Sequence, residues 1–491
     1  MQWGNSFGPR RYLRPLGVRP APSAAEQHDA LPEFGRFDQK YNMIFQPVWN
    51  ERYSSITDGA RSEKCARLVR RGVKGYRPLD WGLMLSSDAN MKATGSGINS
   101  PNQGATRWAL GPGLPKDVER WEGSPQEAAE IVKAVCGFYG ADLTGICEYD
   151  RRHVYSHYFD LADRKHYPIV FSDEAGLEEI EAPVQLEDKT QVIPAAMKYA
   201  VVMVFEMNRM GIATAPSLAS QATTRAIYSK MSFTVASVAE FLRGLGYHAI
   251  PSLNDTAANI PLAVDAGLGE VGRNAKLINP LFGPRCRIAK VFTDLPLAVD
   301  HPIQFGVTRF CEQCAICAEA CPSKSIPFGP RSYEAQGDYS RSTLRQWQLA
   351  HDKCREYWAK TGTNCGICLH ACPYNGDPGV LHWLFTSARP PCRFWTAPSW
   401  RRQSAPASES GWIRKNSGKA LENGGRNDHG TRTQLPLYES VPAARRLRRL
   451  RQMAPEDAAG GHCFLYAAQS RAEIRPGKNG GRLNVRKGGE R

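Results

Sequence analysis

Eight of the fourteen cysteines fall between Cys311 and Cys372. They stand as Cys311-x2-Cys314-x2-Cys317-x3-Cys321-Pro322, then Cys354-x10-Cys365-x2-Cys368-x3-Cys372-Pro373. Three thiolates on one tight loop occupy three corners of a 4Fe–4S cube, and a fourth Cys ahead of Pro reaches the other cluster. Crossed ligation then assigns Cys311, Cys314, Cys317 and Cys372 to one cluster, and Cys321, Cys354, Cys365 and Cys368 to a second. The second run departs from the pattern, since ten residues separate its first two cysteines. Cys354 is the cysteine available at that place. Tetrahedral zinc also uses paired Cys-x2-Cys. The repeated third spacing and both Cys-Pro pairs argue for iron. A long chain with ordinary core composition is not a disulfide scaffold. The six scattered cysteines (Cys65, Cys136, Cys147, Cys286, Cys392, Cys463) read as buried or free thiols.

Two clusters give an electron path and no substrate chemistry, so something upstream must accept those electrons. Gly267-x-Gly269-x-x-Gly272 matches a dinucleotide fingerprint. That fingerprint should follow a strand, and Ile260-Pro-Leu-Ala-Val-Asp-Ala266 is not a clean one. A glycine-rich loop coming close to some other flat cofactor is the better reading. A plain electron carrier would need only the cysteine-rich module. The large region before it argues for an enzyme.

The elements that must position this chemistry lie upstream. Ser124-Pro-Gln-Glu opens a helix with a cap, a first-turn Pro and an acid, and Ala128, Ile131, Val132, Val135 and Phe138 form its apolar face. Gly140 ends it. Leu143–Cys147, Tyr199–Phe205, Tyr247–Ile250 and Ile288–Phe292 read as strands, the second a continuous buried run. A long helix is expected from Pro216 to about Leu242. Helices alternating with buried strands predict an α/β domain. The organisation expected is a loose arm over 1–40, a region packing on the core over 41–123, a catalytic α/β domain over 124–305, a ferredoxin-like double-cluster module over 306–385, and a basic tail over 386–491.

The 491 residues carry a net charge of +15. Residues 386–491 hold 21 of the 63 basic and 8 of the 48 acidic groups, leaving 42 and 40 in the body. The excess belongs to the tail, so no nucleic-acid partner is expected. The tail reads as disordered basic chain or as a shifted reading frame. No run of 18 apolar residues is present, so no membrane-spanning helix is expected. Arg10-Arg11-Tyr12-Leu13 lacks the apolar stretch that a twin-arginine signal needs. A cytoplasmic location is expected, or the outer face of the cell membrane if such a signal is missing from the gene model.

Several stretches together resemble the corrinoid-dependent reductive dehalogenases. They are Glu33-Phe-Gly-Arg-Phe-Asp-Gln-Lys40, Phe138-Tyr-Gly-Ala-Asp-Leu-Thr-Gly145, Gly246-Tyr-His-Ala-Ile-Pro-Ser-Leu-Asn-Asp255, Ala266-Gly-Leu-Gly-Glu-Val-Gly-Arg-Asn274, Phe282-Gly-Pro-Arg285 and Val291-Phe-Thr-Asp-Leu-Pro296, with the double-cluster module following. The resemblance covers about 30–385. It implies a cobalamin-type corrinoid held base-off in a nitroreductase-like domain, contacted by the loop of Gly267, Gly269 and Gly272. Electrons would pass from the two clusters to cobalt. The net reaction would replace carbon–halogen by carbon–hydrogen in a small halogenated substrate, using two electrons and a proton. The resemblance further implies Tyr228 as proton donor, Arg287 as its partner and Asn254 as an orienting group. A phenol, with a pKa of about 10, is a competent acid, and a neighbouring guanidinium stabilises the phenolate left behind. Arg285 is the alternative to Arg287, and Asn254 could instead be a turn residue beside Asp255. The implied electron donor is a membrane quinol chain working through a small anchor protein, or a soluble ferredoxin or reductase. A homodimer stays open. The rival enzyme is epoxyqueuosine reductase, a tRNA-modifying enzyme with the same cofactor set and a catalytic Asp at the place of Asp255.

Overall fold

The computed structural model describes residues 18–376, apart from 26, 109–112 and 116. The tail expected over 386–491 lies outside the described residues, as do 1–17 of the arm and the end of the cysteine-rich module.

Four strands form the central sheet, in the order Leu143–Glu148, Tyr199–Glu206, Cys286–Thr293 and Ala249–Ser252. In Tyr199–Glu206 every residue from Ala200 to Phe205 is buried, because the strand is covered on both faces. Alternation sends Val201, Met203 and Phe205 toward Val132, Met231, Val235 and Val238 of two helices. Ala200, Val202 and Val204 join Ile169, Phe171, Leu262 and Phe292 on the other face. The first of those helices, Pro125–Phe138, starts where its sequence signals it: the Ser124 hydroxyl accepts from the Glu127 amide at 3.2 Å. The second, Leu218–Gly244, is capped by Ser217.

The expectation of an α+β or α/β domain leaves the sheet type open. Every neighbouring pair in the sheet is antiparallel. The strand before the long helix and the strand after it do run parallel, but Cys286–Thr293 comes later in the chain and inserts between them. Alternating helices and strands therefore do not give adjacent parallel strands here. The last strand also starts at Ala249 rather than Tyr247, because the His248 amide donates to Asp294 Oδ1 at 2.7 Å instead of to a neighbouring strand.

The arm is loose in neither of its described parts. Arg19–Pro20 pairs with Ile303–Gln304, Phe34 is buried, and the buried Gln39 side chain donates to Asn99 O at 2.9 Å while accepting from the Phe159 amide at 3.0 Å. In the following region Cys65, Tyr76 and Met84 pack against Leu218 and Ala222 of the long helix.

The cysteine-rich part begins after Gly306, whose φ of 86° suits glycine. Its helices are Val307–Gln313, Ile316–Ala320, His351–Thr361 and Ile367–His370. It seats closely on the sheet domain. A Cβ at Gly283 would lie 2.2 Å from Tyr374 O, so that contact demands glycine. No helix among the described residues is long and apolar enough to cross a membrane.

Candidate active site and cluster sites

Burial pushes up the thiols of Cys311, Cys314, Cys317 and Cys372. Charge at neighbouring cysteines raises Cys311, Cys317 and Cys372 further, whereas at Cys314 the raising neighbour is Glu319. For Cys311 the cysteine neighbour is Cys314, and for Cys372 they are Cys311, Cys317 and Cys314. Cys365 feels Cys368, Cys354 and Cys321, and Cys368 feels Cys354 and Cys321. Cys317 also feels Cys368, and Cys368 packs against the buried cluster that holds Cys317 and Cys321. Among the described residues no three cysteine sulfurs lie within 4.8 Å of one another. At Cys321 burial is outweighed by hydrogen bonds with Ser323 and Ser325, both at 3.3 Å, which lower the pKa and favour a thiolate.

Arg273 ties the first cysteine loop to the sheet domain. Its buried guanidinium donates to Cys311 O at 2.7 and 2.9 Å, Cys314 O at 2.9 Å, and both Pro327 O and Gly329 O at 2.8 Å. Sequence reading passed over it, although it directly follows Gly272.

A cavity of about 470 Å³ opens between the sheet domain and the cysteine-rich part. Tyr228, Asn254 and Arg287 all line it. The long helix carries Tyr228, and Arg287 sits opposite Phe205 near the start of its strand. Asn254 follows Ala249–Ser252, its amide bonded to Ile98 O at 2.9 Å. The Asn254 side-chain nitrogen donates to the Tyr228 hydroxyl at 2.9 Å, and its oxygen accepts from Asn259 at 3.1 Å. The Arg287 guanidinium lies 5.7 Å from the centre of the Tyr228 ring, and its buried Nε has no hydrogen-bond partner. Three residues from three elements therefore meet at one wall of the cavity.

The alternatives fall elsewhere. Arg285 does not line the cavity: it binds Glu206, Met207 O at 2.7 Å and Asn375 at 2.8 Å. Asp255 is fully buried behind the cavity wall, accepting from the Leu253 amide at 2.7 Å and the Thr256 hydroxyl at 3.0 Å. Burial raises its pKa. Asn254 is thus more than a turn residue, and Asp255 is the one that holds the turn.

The structure gives the three glycines a different reason from the one expected. Added Cβ atoms at Gly267 and Gly269 would meet His301 O at 2.4 Å and Ile278 O at 2.3 Å, and one at Gly272 would meet Ile278 Cγ1 at 2.8 Å. All three serve close packing within the protein, and none lines the cavity. The neighbouring Val271, Ala275, Lys276 and Leu277 do.

Lys290 was read only as part of a buried strand. Its ammonium is fully buried and donates to the carbonyls of Leu253, Asp255 and Ala257 at 3.1, 2.7 and 2.9 Å. It fixes the loop that presents Asn254. A lysine inside the run Ile288-Ala-Lys-Val-Phe292 was the available signal.

Residues 94–297 match the family model described as reductive dehalogenase subunit, and residues 310–375 match a 4Fe-4S double cluster binding domain. The chain is 37% identical over 279 residues to a tetrachloroethene reductive dehalogenase of Sulfurospirillum multivorans, a match covering 54% of each chain. It is 38% identical over 278 residues to one from Desulfitobacterium hafniense, covering 51% of this chain and 49% of that one. An epoxyqueuosine reductase of Leadbetterella byssophila is 36% identical over only 116 residues, 23% of this chain and 35% of that one. The chain spans about half the length of these dehalogenase relatives. Among solved structures, the catabolic reductive dehalogenase NpRdhA in complex with 3-bromo-4-hydroxybenzoic acid superposes with a TM-score of 0.51 at 23% identity, over 78% of this chain and 47% of that one. At that identity the likeness concerns the fold.

Proposed function

We propose that the chain is a corrinoid-dependent reductive dehalogenase with two 4Fe–4S clusters, one that replaces carbon–halogen by carbon–hydrogen in a small organohalide; the reductive dehalogenase subunit and 4Fe-4S double cluster matches support this reading. The balance is R–X plus two electrons and one proton, giving R–H and X⁻. The observation that carries this reading is the meeting of Tyr228, Asn254 and Arg287 on one wall of a cavity whose other lining includes Trp347 and Leu349 of the cysteine-rich part. Electrons leaving the clusters would have a short route into that cavity. The lining suits a corrinoid with anionic and amide groups in kind: five Lys and Arg side chains and no Asp or Glu line it among the described residues, and the Arg287 Nε is an orphaned donor there. When bound, the corrinoid supplies the low-valent cobalt that breaks the carbon–halogen bond.

The chain's own residues handle the proton. Tyr228 accepts its hydrogen bond from Asn254, so its own hydroxyl hydrogen stays available for donation into the cavity. Arg287 stands ready to stabilise the phenolate that donation leaves. Asn254 sets the hydroxyl's direction. The eight module cysteines ligate the clusters in the two crossed sets, with Cys354 completing the second. We read the sheet domain as a nitroreductase-like arrangement, and the electron donor as a membrane quinol chain or a soluble ferredoxin or reductase. Chlorinated alkenes are the substrates to try first, as relatives of this identity are tetrachloroethene reductive dehalogenases.

The test is anaerobic expression of the full chain with corrinoid, cluster reconstitution, and a screen of halogenated alkenes, arenes and alkanes with a reduced viologen. Halide release that needs corrinoid supports the reading. Reduction of an epoxide in modified tRNA, with no halide released, would replace it.

A further inference from the structure

Arg341 stands on the cavity without an acidic partner. Its guanidinium lies 5.2 Å from the ring centre of Phe34 and 5.1 Å from that of Phe37. Among the described residues its side chain makes neither an ion pair nor a hydrogen bond, while its carbonyl is used by Gln348 and Leu344. Burial pulls its pKa down, and the Tyr155 phenol is what opposes that. Arg341 is part-buried, its guanidinium open to the cavity, and a cation held in such a place without a counterion is one that an anion would stabilise. The rest of the lining offers no relief: Lys276, Arg287, Arg331 and Arg345 add positive charge, and no carboxylate among the described residues lines the cavity. Arg345 and Arg331 reach acids outside it, Asp29 at 3.3 Å and Glu312 at 3.9 Å.

We propose that Arg341 is an anion-binding subsite that holds the phosphodiester of a nucleotide-bearing corrinoid, its guanidinium kept planar and in place by Phe34 and Phe37. The proposal rests on the corrinoid reading given above. A guanidinium suits this task because its donors form a rigid fork that matches phosphate oxygens, while its flat faces stack on aromatic rings. The aromatic pair also excludes water, which strengthens the contact. A halogenated substrate bearing a carboxylate would share the chemistry, and the corrinoid comparison below separates the two sources.

The experiment measures corrinoid affinity, without turnover. Full-length protein made without corrinoid is titrated with cobalamin and with cobinamide, which lacks the nucleotide and its phosphate, following the corrinoid absorption spectrum. Wild type should prefer cobalamin. Arg341→Gln should weaken cobalamin binding by about 10- to 100-fold, the range for a lost charge-assisted hydrogen bond, and leave cobinamide binding within about threefold. Arg341→Lys keeps the charge and loses the fork, so its preference for cobalamin should be intermediate. Should Arg341→Gln fold poorly, as judged by iron content and melting, the Lys variant still decides. Equal weakening of both corrinoids, or of neither, overturns the phosphate assignment. An unchanged corrinoid preference with a raised KM for carboxylate-bearing substrates alone overturns it in favour of a substrate anion. If wild type binds neither corrinoid, the functional reading itself has failed, a result distinct from a failed Arg341 assignment.

Discussion

The Asn254 side-chain nitrogen lies 2.9 Å from the Tyr228 hydroxyl oxygen and donates to it. The direction of that bond decides the chemistry. Asn254 Oδ1 accepts from Asn259 at 3.1 Å, which leaves the amide nitrogen facing Tyr228. The tyrosine is then an acceptor in this pair, and its proton remains for the substrate carbon.

Removal of that proton is the first test. Tyr228→Phe keeps the ring and its contacts and deletes only the hydroxyl. Turnover should fall by roughly 10²–10⁴-fold, the usual contribution of a general acid. Iron and cobalt content should match wild type. Full turnover with cofactors present would sink the assignment.

Arg287 separates charge from geometry. Arg287→Lys keeps a cation near the phenolate but loses the planar fork. It should retain more activity than Arg287→Ala in steady-state kcat measurements. Equal losses in the two variants would mean that the charge plays no part.

Lys290 is predicted to act through Asn254. Lys290→Met leaves three buried carbonyls without their shared donor. Denaturant unfolding should show a loss of about 3 kcal/mol, typical of buried acceptors stripped of a charged donor. In the protein that remains folded, kcat should fall while KM changes little, because the loop no longer holds Asn254 against Tyr228. A changed KM with unchanged kcat would contradict that role.

Cys354 tests the cluster assignment. Cys354→Ala should remove one cluster and spare the other, so that about four of eight irons remain. Electron paramagnetic resonance of the reduced protein should lose the coupling between the two clusters. Eight irons in the variant would show that Cys354 is not a ligand.

Some of this was legible in the residues alone. The cysteine spacing and the apolar run Tyr199–Phe205 are local patterns, and the helix after Ser124 announces its own cap. The antiparallel sheet was not legible, since strand order depends on Cys286–Thr293 entering between two strands that precede it in the chain. Tyr228, Asn254 and Arg287 carry no spacing signal and came from resemblance; they are far apart in sequence and meet only through the fold. The glycines misled because a glycine needed for packing against a carbonyl and one needed beside a cofactor look alike in sequence. Arg341 lies in irregular chain between short elements, where no periodicity marks which side faces a cavity.

The most direct measurement of the central claim is the stoichiometry of halide release. Full-length protein reconstituted with clusters and cobalamin is supplied anaerobically with reduced methyl viologen and a chlorinated alkene. The account predicts one chloride released and one carbon–hydrogen bond formed for every two viologen radicals oxidised, in protein holding about eight irons and one cobalt, and none without corrinoid. Protein loaded to those metal contents that released no halide from any alkene, arene or alkane halide would contradict it.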